Sequence, residues 1–139
     1  MAFELAEQLS ADCRRIMLCP WYRRLFPNTR LDKKTISHLA TTLGGKRYAT
    51  SVGGSLTGMG ADVFIVDDPM KPDEALSDSE RNRINAWSRH TLFTRLDNKK
   101  DGHIIIVQQR LHEDDMIGHV QNITGFEPLA FPEIGRAHV

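Results

Sequence analysis

The apolar residues of the chain follow two periodicities, and these predict where its helices and strands lie. Residues 2–18 carry apolar side chains at helical spacing, and Pro20 ends this helix. Two short runs typical of β-strands, residues 36–43 and 47–52, flank a Gly-Gly pair. Such a pair between short strands predicts a hairpin turn.

The stretch at residues 62–69 organises the second half of the chain. It runs through Val-Phe-Ile-Val directly into Asp67, Asp68 and Pro69. A continuous apolar run of this length suits a strand buried on both faces of a parallel sheet. Proline cannot continue a central strand, so we expect the strand to end at or just after Asp67. Pro69 also disfavours the helical conformation at Asp68, which we expect to remain extended.

A helix and a second apolar strand follow. A cap at Ser77 or Ser79 predicts a helix that continues to about Arg95. After a charged turn, the run Ile-Ile-Ile-Val leads into Gln108 and Gln109. Strand, helix and strand make a βαβ unit, so we predict an α/β fold with a mostly parallel sheet flanked by helices.

Parallel strands bring the polar residues at their carboxyl ends to the same edge of the sheet. Asp67 and Asp68 should therefore lie near Gln108 and Gln109, where open α/β sheets bind their ligands. In P-loop nucleoside triphosphatases an acid at this position holds the magnesium ion that bridges the phosphates. The next acid can orient or deprotonate the attacking water. The alternative is that both acids cap a helix or begin a turn; the shared edge favours the functional interpretation.

Three other segments carry candidate chemistry. The run His-Glu-Asp-Asp at residues 112–115 could hold a metal, but no second histidine or cysteine stands at ligand spacing, so helix capping is favoured. The aromatic and basic run at residues 21–27 could stack bases or grip phosphates, or it could anchor a loop to the core. The glycine-rich run at residues 53–60 lacks the Lys-Ser/Thr ending of a P-loop and precedes a strand. We interpret it as a flexible loop that can approach DNA or a neighbouring subunit.

Composition limits the function classes only modestly. The 18 basic and 18 acidic residues cancel, so nothing in the overall charge favours nucleic acid or membrane. Cys13 and Cys19 suit free thiols of an intracellular protein. No apolar run approaches the roughly 18 residues of a membrane span, and no signal-peptide core is present. We expect a soluble, cytoplasmic protein without membrane association.

Several sequence blocks occur in a characteristic order. They are residues 5–15, 21–27 (Trp-Tyr-Arg-Arg-Leu-Phe-Pro), 49–62, 65–69 (Ile-Val-Asp-Asp-Pro) and 109–115 (Gln-Arg-Leu-His-Glu-Asp-Asp). Together they resemble the large subunit of tailed-phage terminases, the motors that package viral DNA, over roughly residues 3–134. The resemblance implies the central and C-terminal part of an ASCE-type P-loop ATPase domain, at residues 1–134. The family's G-x-x-x-x-G-K-[ST] loop and its nuclease domain are not matched.

The resemblance also implies roles for the residues at the strand ends. Asp67 looks like the Walker B aspartate that positions Mg²⁺, and Asp68 stands where the family usually has a catalytic glutamate. Gln108 and Gln109 look like the coupling motif that senses the γ-phosphate of ATP. The implied partners are double-stranded DNA, the portal, the small terminase subunit and further copies in a ring, in the host cytoplasm. Candidate contacts to DNA or a subunit are Arg23, Arg24, Lys46, Arg47 and Arg110.

Two other functions remain open on the sequence. A metal-dependent nuclease would use Asp67, Asp68 and the acids at residues 113–115, whose carboxylates would converge within about 4 Å of a shared metal pair. A non-catalytic DNA-binding or assembly module is favoured if one face collects the basic residues Arg23, Arg24, Lys33, Lys34, Lys46 and Arg47.

The end of the chain, Gly-Arg-Ala-His-Val at residues 135–139, differs in character from what precedes it. It matches the translation of a widely used sequencing adapter, and the resemblance fades just before it. We predict that residues 135–139 are a non-native tail; the alternative is an ordinary polar C-terminus. Resequencing the source DNA tests this, and finding these codons in place would contradict the prediction.

Overall fold

The computed structural model describes residues 2–54, 58–123 and 125–131 of the chain. Within it the chain divides into two compact units, Met1–Met59 and Gly60–Val139. The predicted tail at residues 135–139 lies outside the described residues. Among the residues that are described, no helix is both long enough and apolar enough to cross a membrane.

The first unit combines two helices with a three-stranded antiparallel sheet. Its elements are α1 (Ala2–Leu18), α2 (Pro20–Leu25), β1 (Leu31–Lys34), β2 (His38–Thr41) and β3 (Lys46–Tyr48), and the strand order is β1-β2-β3. Pro20 both ends α1 and begins α2, because a proline at the first helical position gives up no hydrogen bond. Cys13 and Cys19 are free thiols, as predicted.

The hairpin at the Gly-Gly pair is confirmed, although its strands are shorter than predicted. Gly44 has φ of 88°, a conformation that glycine adopts without steric cost. The side-chain oxygen of Thr41 accepts a hydrogen bond from the N–H of Gly45 (3.1 Å), which closes the turn. The turn therefore begins at Thr41 and takes up residues that the apolar pattern had given to the first strand.

The second unit is the predicted βαβ arrangement, followed by a short helix. Its elements are β4 (Val63–Asp67), α3 (Asp78–Trp87), β5 (His103–Val107) and α4 (Met116–Gln121). Strands β4 and β5 pair in parallel from Val63 opposite His103 to Asp67 opposite Val107. The chain is therefore a mixed α/β protein with a small parallel sheet and helices.

The prediction that the strand before Asp67 is buried on both faces is wrong. Ile65 is 68% exposed, whereas its neighbour Val66 on the opposite face is 8% exposed. Val63, Ile105 and Val107 are also about half exposed, and the strand register places them on the same face as Ile65. One face of the two-stranded sheet is thus an open apolar surface.

The core of the second unit lies between α3, the turn that follows it, and α4. Its largest fully buried apolar side chains are Ile84, Leu92 and Met116. Helix α3 begins as predicted, because Ser77 is its N-cap and accepts a hydrogen bond from the N–H of Glu80 (3.5 Å). It ends at Trp87 rather than near Arg95, and the chain continues as one π-helical turn, Ser88–Leu92.

Asp115 organises the segment between β5 and α4. Its side chain is fully buried and is the N-cap of α4, which confirms the predicted capping role of this acidic run. One oxygen accepts from the N–H groups of Leu111 (3.0 Å) and His112 (3.3 Å) and from Nε of Arg110 (3.1 Å). The other accepts from the N–H of Gly118 (2.9 Å).

The pKa of Asp115 reflects these bonds. Burial alone would raise it, but the hydrogen bonds from Gly118, Leu111, His112 and Arg110 outweigh burial and lower the pKa from its ordinary value of 3.8. The folded state therefore releases this proton more readily than the unfolded chain. Its stabilising effect is complete above about pH 4 and is lost as the pH falls through the lower pKa of the folded state.

We predict that Asp115→Ala lowers the free energy of unfolding at pH 7 by about 3 kcal/mol, because it leaves several buried donors unpaired. Asp114→Ala is the matched control, since that side chain is mostly exposed, and it should change stability by less than about 0.5 kcal/mol. Urea unfolding from pH 3 to pH 7 measures both effects. Equal stability of Asp115→Ala and wild type at pH 7, or an unchanged acid dependence, would contradict this account.

Candidate functional site

The carboxyl ends of β4 and β5 are joined by direct hydrogen bonds, so the two polar strand ends meet at one edge, as expected. The N–H of Asp68 donates to the carbonyl oxygen of Val107 (2.9 Å). In return, Oδ1 of Asp68 accepts from the N–H of Gln109 (3.4 Å). Asp68 therefore contacts the end of β5 through its backbone and the segment just after β5 through its carboxylate.

The backbone of Asp68 corrects the expectation that this residue stays extended. Its φ is +40°, the one positive φ of a non-glycine residue in the described part of the chain. Aspartate tolerates this left-handed region better than most residues do. The two hydrogen bonds to β5 hold the turn, and they outweigh the preference imposed by Pro69. A strained backbone at a strand end is a common feature of functional sites.

Asp67 lies in a different environment from its neighbour. It is exposed and belongs to the open face of the sheet, together with Ile65 and Val107. The described residues offer its carboxylate neither a hydrogen bond nor an ion pair. Asp67 can therefore bind a cation without first breaking an internal contact.

Gln108 has unused hydrogen-bonding capacity at the same edge. Both Nε2 and Oε1 are shielded from solvent, and neither has a partner among the described residues. A shielded amide that is unpaired at both ends destabilises the fold unless a ligand or water bonds it. Gln108 follows Val107 and lies beside the Asp68 turn, so the strand ends combine a free carboxylate with a free amide.

These residues fit magnesium that arrives with a phosphate ligand better than a metal held by protein alone. Within the described ranges, no group of three His, Cys, Asp or Glu side chains is placed to hold a metal. Mg²⁺ is usually bound by one or two carboxylates, with substrate phosphates and water completing its shell. Asp67 supplies one such carboxylate.

The acidic run after β5 is engaged in local structure. Both carboxylate oxygens of Asp115 accept internal hydrogen bonds, and Nδ1 of His112 accepts from the N–H of Asp114 (3.0 Å). Arg110, predicted to contact DNA or a subunit, binds Asp115 and the carbonyl oxygens of His112 and Glu113 within the chain, and its side chain is still 45% exposed. Of the acids at residues 113–115, Asp115 is therefore committed to the fold, whereas Glu113 and Asp114 are exposed.

The candidate basic residues of the first unit are distributed over different elements. Arg23 and Arg24 lie in the last turn of α2, a helix without a buried residue. Lys46 and Arg47 are consecutive in β3, so their side chains lie on opposite faces of the sheet. Arg47 shares its face with the buried Leu39, so the six basic residues do not form one face.

A polar pocket of about 420 Å³ lies beside α3 and α4 and is lined by Asp78, Arg81, Asn82, Asn85, Asp114 and His119. Two of its lining residues bind another lining residue or the backbone, whereas Oδ1 of Asn85 and Nε2 of His119 are shielded and lack a partner among the described residues. Arg81 donates to the carbonyl oxygen of Ala75 and to Asp78, and Nδ2 of Asn85 donates to the carbonyl oxygen of Asp114 (3.0 Å). The Asn85 bond fastens α3 to the loop before α4, the bond from Arg81 to Ala75 fastens it to the turn that precedes it, and we interpret the pocket as part of the packing.

Comparison with known proteins adds no family. No protein-family model matches the chain, and no curated protein matches it significantly. We therefore infer function from the sequence blocks quoted above and from the geometry of the strand ends.

The left-handed turn at Asp68 leads us to predict how substitutions there change the free energy of unfolding. Asp68→Val places a branched side chain in the left-handed region and removes the acceptor for Gln109, so we expect a loss of about 1–2 kcal/mol. Asp68→Asn tolerates the same backbone and keeps an oxygen acceptor, so it should stay within about 0.5 kcal/mol of wild type. Urea unfolding of both variants provides the measurement. A Val variant as stable as the Asn variant would show that this turn is not strained.

Proposed function

We propose that this chain is the Walker B and coupling portion of a terminase large subunit, which uses ATP to package viral DNA into the capsid. The observation that supports this best is the pair of hydrogen bonds from Asp68 to the end of β5. A carboxylate at the end of one parallel strand is thereby linked to the backbone N–H of Gln109, just past the end of the next. That is the arrangement a motor needs to connect nucleotide chemistry to movement.

The proposal assigns different tasks to the two aspartates. Asp67, exposed and without an internal partner among the described residues, is the residue that would position Mg²⁺. In the bound state this ion would neutralise the charge of the ATP phosphates. Asp68 is the acid that would orient the attacking water. Its hydrogen bond to Gln109 is long, at 3.4 Å, so a water molecule can replace it at small cost.

Coupling would run through the same contact. If Asp68 turns toward a water molecule, it releases the N–H of Gln109, and the segment after β5 gains freedom to move. Gln108 carries the unpaired amide, which would have to turn outward from its shielded position to bind a phosphate oxygen or the attacking water. Gln108 and Gln109 would thus report the state of the nucleotide to the loop that Asp115 anchors.

The complete motor would supply what these residues do not. Phosphate binding needs the backbone amides of a P-loop and a lysine. In that setting the partners would be double-stranded DNA, the portal, the small subunit and other copies in a ring, in the host cytoplasm. We expect the 139-residue chain alone to hydrolyse ATP more slowly than about 0.1 per second, well below ordinary enzymes.

The origin of the chain provides a direct test. The DNA that flanks the reading frame should encode a G-x-x-x-x-G-K-[ST] loop upstream and an acidic nuclease domain downstream. Unrelated coding sequence on both sides would contradict the proposal.

Three substitutions in the complete protein test the assigned roles. Asp67→Ala should weaken ATP binding and turnover together. Asp68→Asn should reduce turnover by about 10²-fold or more while ATP still binds. Gln109→Ala should retain ATPase activity but lose DNA packaging. ATP affinity, turnover and packaged DNA are measured for each variant.

The matched control is Asp73→Asn, which makes the same chemical change in an exposed loop acid that caps nothing with its side chain. It should behave as wild type in all three assays. Normal packaging by Asp68→Asn would remove Asp68 from the catalytic role and leave it as a turn residue. Normal ATP binding and turnover by Asp67→Ala would likewise refute the magnesium role.

A further inference from the structure

The zero net charge of the chain conceals a strong separation of charge between its two units. The first unit contains nine basic and four acidic residues, for a net charge of +5. The second contains nine basic and fourteen acidic residues, for a net charge of −5. Between Arg14 and Arg47 the sequence has nine basic residues and one acid, Asp32. Such a segment attracts polyanions at long range.

The antiparallel sheet presents part of this charge on one open face. The register aligns Lys33, Ala40 and Lys46 across the three strands, so the side chains of these residues share a face. Both lysines are exposed, and no ion pair engages either of them within the described residues. Neighbouring strands lie about 5 Å apart, so the two lysines project from positions about 10 Å apart. Ala40, which has a small side chain, lies between them, and we call this strip of the sheet face the groove.

An aromatic pair borders this groove. His38 and Tyr48 lie opposite each other on β2 and β3, and their rings stack with centroids 4.1 Å apart and planes at 27°. Each ring covers a face of the other. The pair therefore forms a wall beside the lysines, and it is not an open platform for unpaired bases.

The state of His38 is consistent with a positive groove. Burial and the nearby charges of Lys33 and Lys46 lower the pKa of His38 from its ordinary value of 6.5. Its Nε2 atom is shielded from solvent and has no partner among the described residues. The ring is neutral at pH 7, so the lysines carry the charge of this face.

We propose that this face, defined by Lys33, Ala40, Lys46 and the His38–Tyr48 pair, binds the phosphate backbone of duplex DNA. The choice of DNA rests on the proposed function, whereas the surface itself follows from register and charge. Two lysines beside a groove can each neutralise a phosphate, and stacked rings favour backbone contact over base stacking. Contacts of this kind bind without sequence preference and depend steeply on salt.

The test compares two double variants of the 139-residue chain with the same charge change. One combines Lys33→Ala with Lys46→Ala. The matched control combines Lys99→Ala with Lys100→Ala, in an exposed turn of the second unit. Fluorescence anisotropy measures the binding of a labelled 20-base-pair duplex from 50 to 300 mM NaCl. Circular dichroism melting confirms that both variants fold as wild type does.

We expect the first variant to bind about tenfold more weakly at 100 mM NaCl. The slope of log K against log salt should decrease by about 2, one for each phosphate contact. The control should stay within about twofold of wild type. A further variant with Lys33→Arg and Lys46→Arg keeps the charge and should retain affinity.

Four results would overturn the proposal. The first is that the wild-type chain does not bind the duplex, and the second is that the two alanine variants lose equal affinity for it. The third is that the chain binds polyglutamate as tightly as the duplex. The fourth is that it binds single-stranded DNA more tightly than the duplex and that Tyr48→Ala abolishes this binding. Failure here is distinguishable from failure of the motor assignment. If the motor assignment fails, Asp67→Ala and Asp68→Asn leave ATP turnover unchanged in the complete protein, and DNA binding by this face can persist. If the DNA-binding proposal fails, those two variants can still lose ATP turnover.

Discussion

The parallel pairing of β4 with β5 is the constraint on which the second unit depends. Parallel neighbours cannot be joined by a tight turn, so the chain must cross over before it returns to the sheet. That crossover contains α3 and the turn after it, and these supply Ile84 and Leu92 to the core. The same pairing brings both carboxyl ends to one edge, so the core and the candidate site share one cause.

A single crossover also explains why one face of the sheet stays open. The side chains of β4 and β5 alternate between a covered face and an open one, and both faces are apolar. Two strands alone make a marginal sheet. The stability of this unit therefore comes mainly from the packing of α3 against α4 and from the hydrogen bonds that Asp115 gathers.

Much of the local structure could be predicted from the sequence, because propensity and turn chemistry act over a few residues. The ends of β4 at Asp67 and β5 at Val107, the Ser77 cap and the Gly-Gly hairpin are of this kind. A continuous apolar run, however, does not reveal whether one face or both will be covered, since either gives the same residues.

Features that depend on contacts between residues far apart in the sequence could not be predicted from local patterns. The left-handed turn at Asp68 opposes the preference set by Pro69, and hydrogen bonds to residues of β5 and beyond stabilise it. The separation of Lys46 from Arg47 follows from strand alternation. The alignment of Lys46 with Lys33 across β2 depends on the strand register, and a bulge between Leu31 and Lys33 shifts that register. No local pattern encodes that shift.

The charge separation suggests that the two units would meet phosphate in different ways. A unit of net charge −5 repels a bare phosphate, so a nucleotide at Asp67 would need a magnesium ion and hydrogen-bond donors to hold it there. A unit of net charge +5 attracts phosphate directly through solvent-exposed lysines. The first kind of contact is short-ranged and resists screening, while the second weakens as salt rises. The motor proposed above would use this difference, because it would have to hold its nucleotide through chemistry while it releases and rebinds a moving polymer.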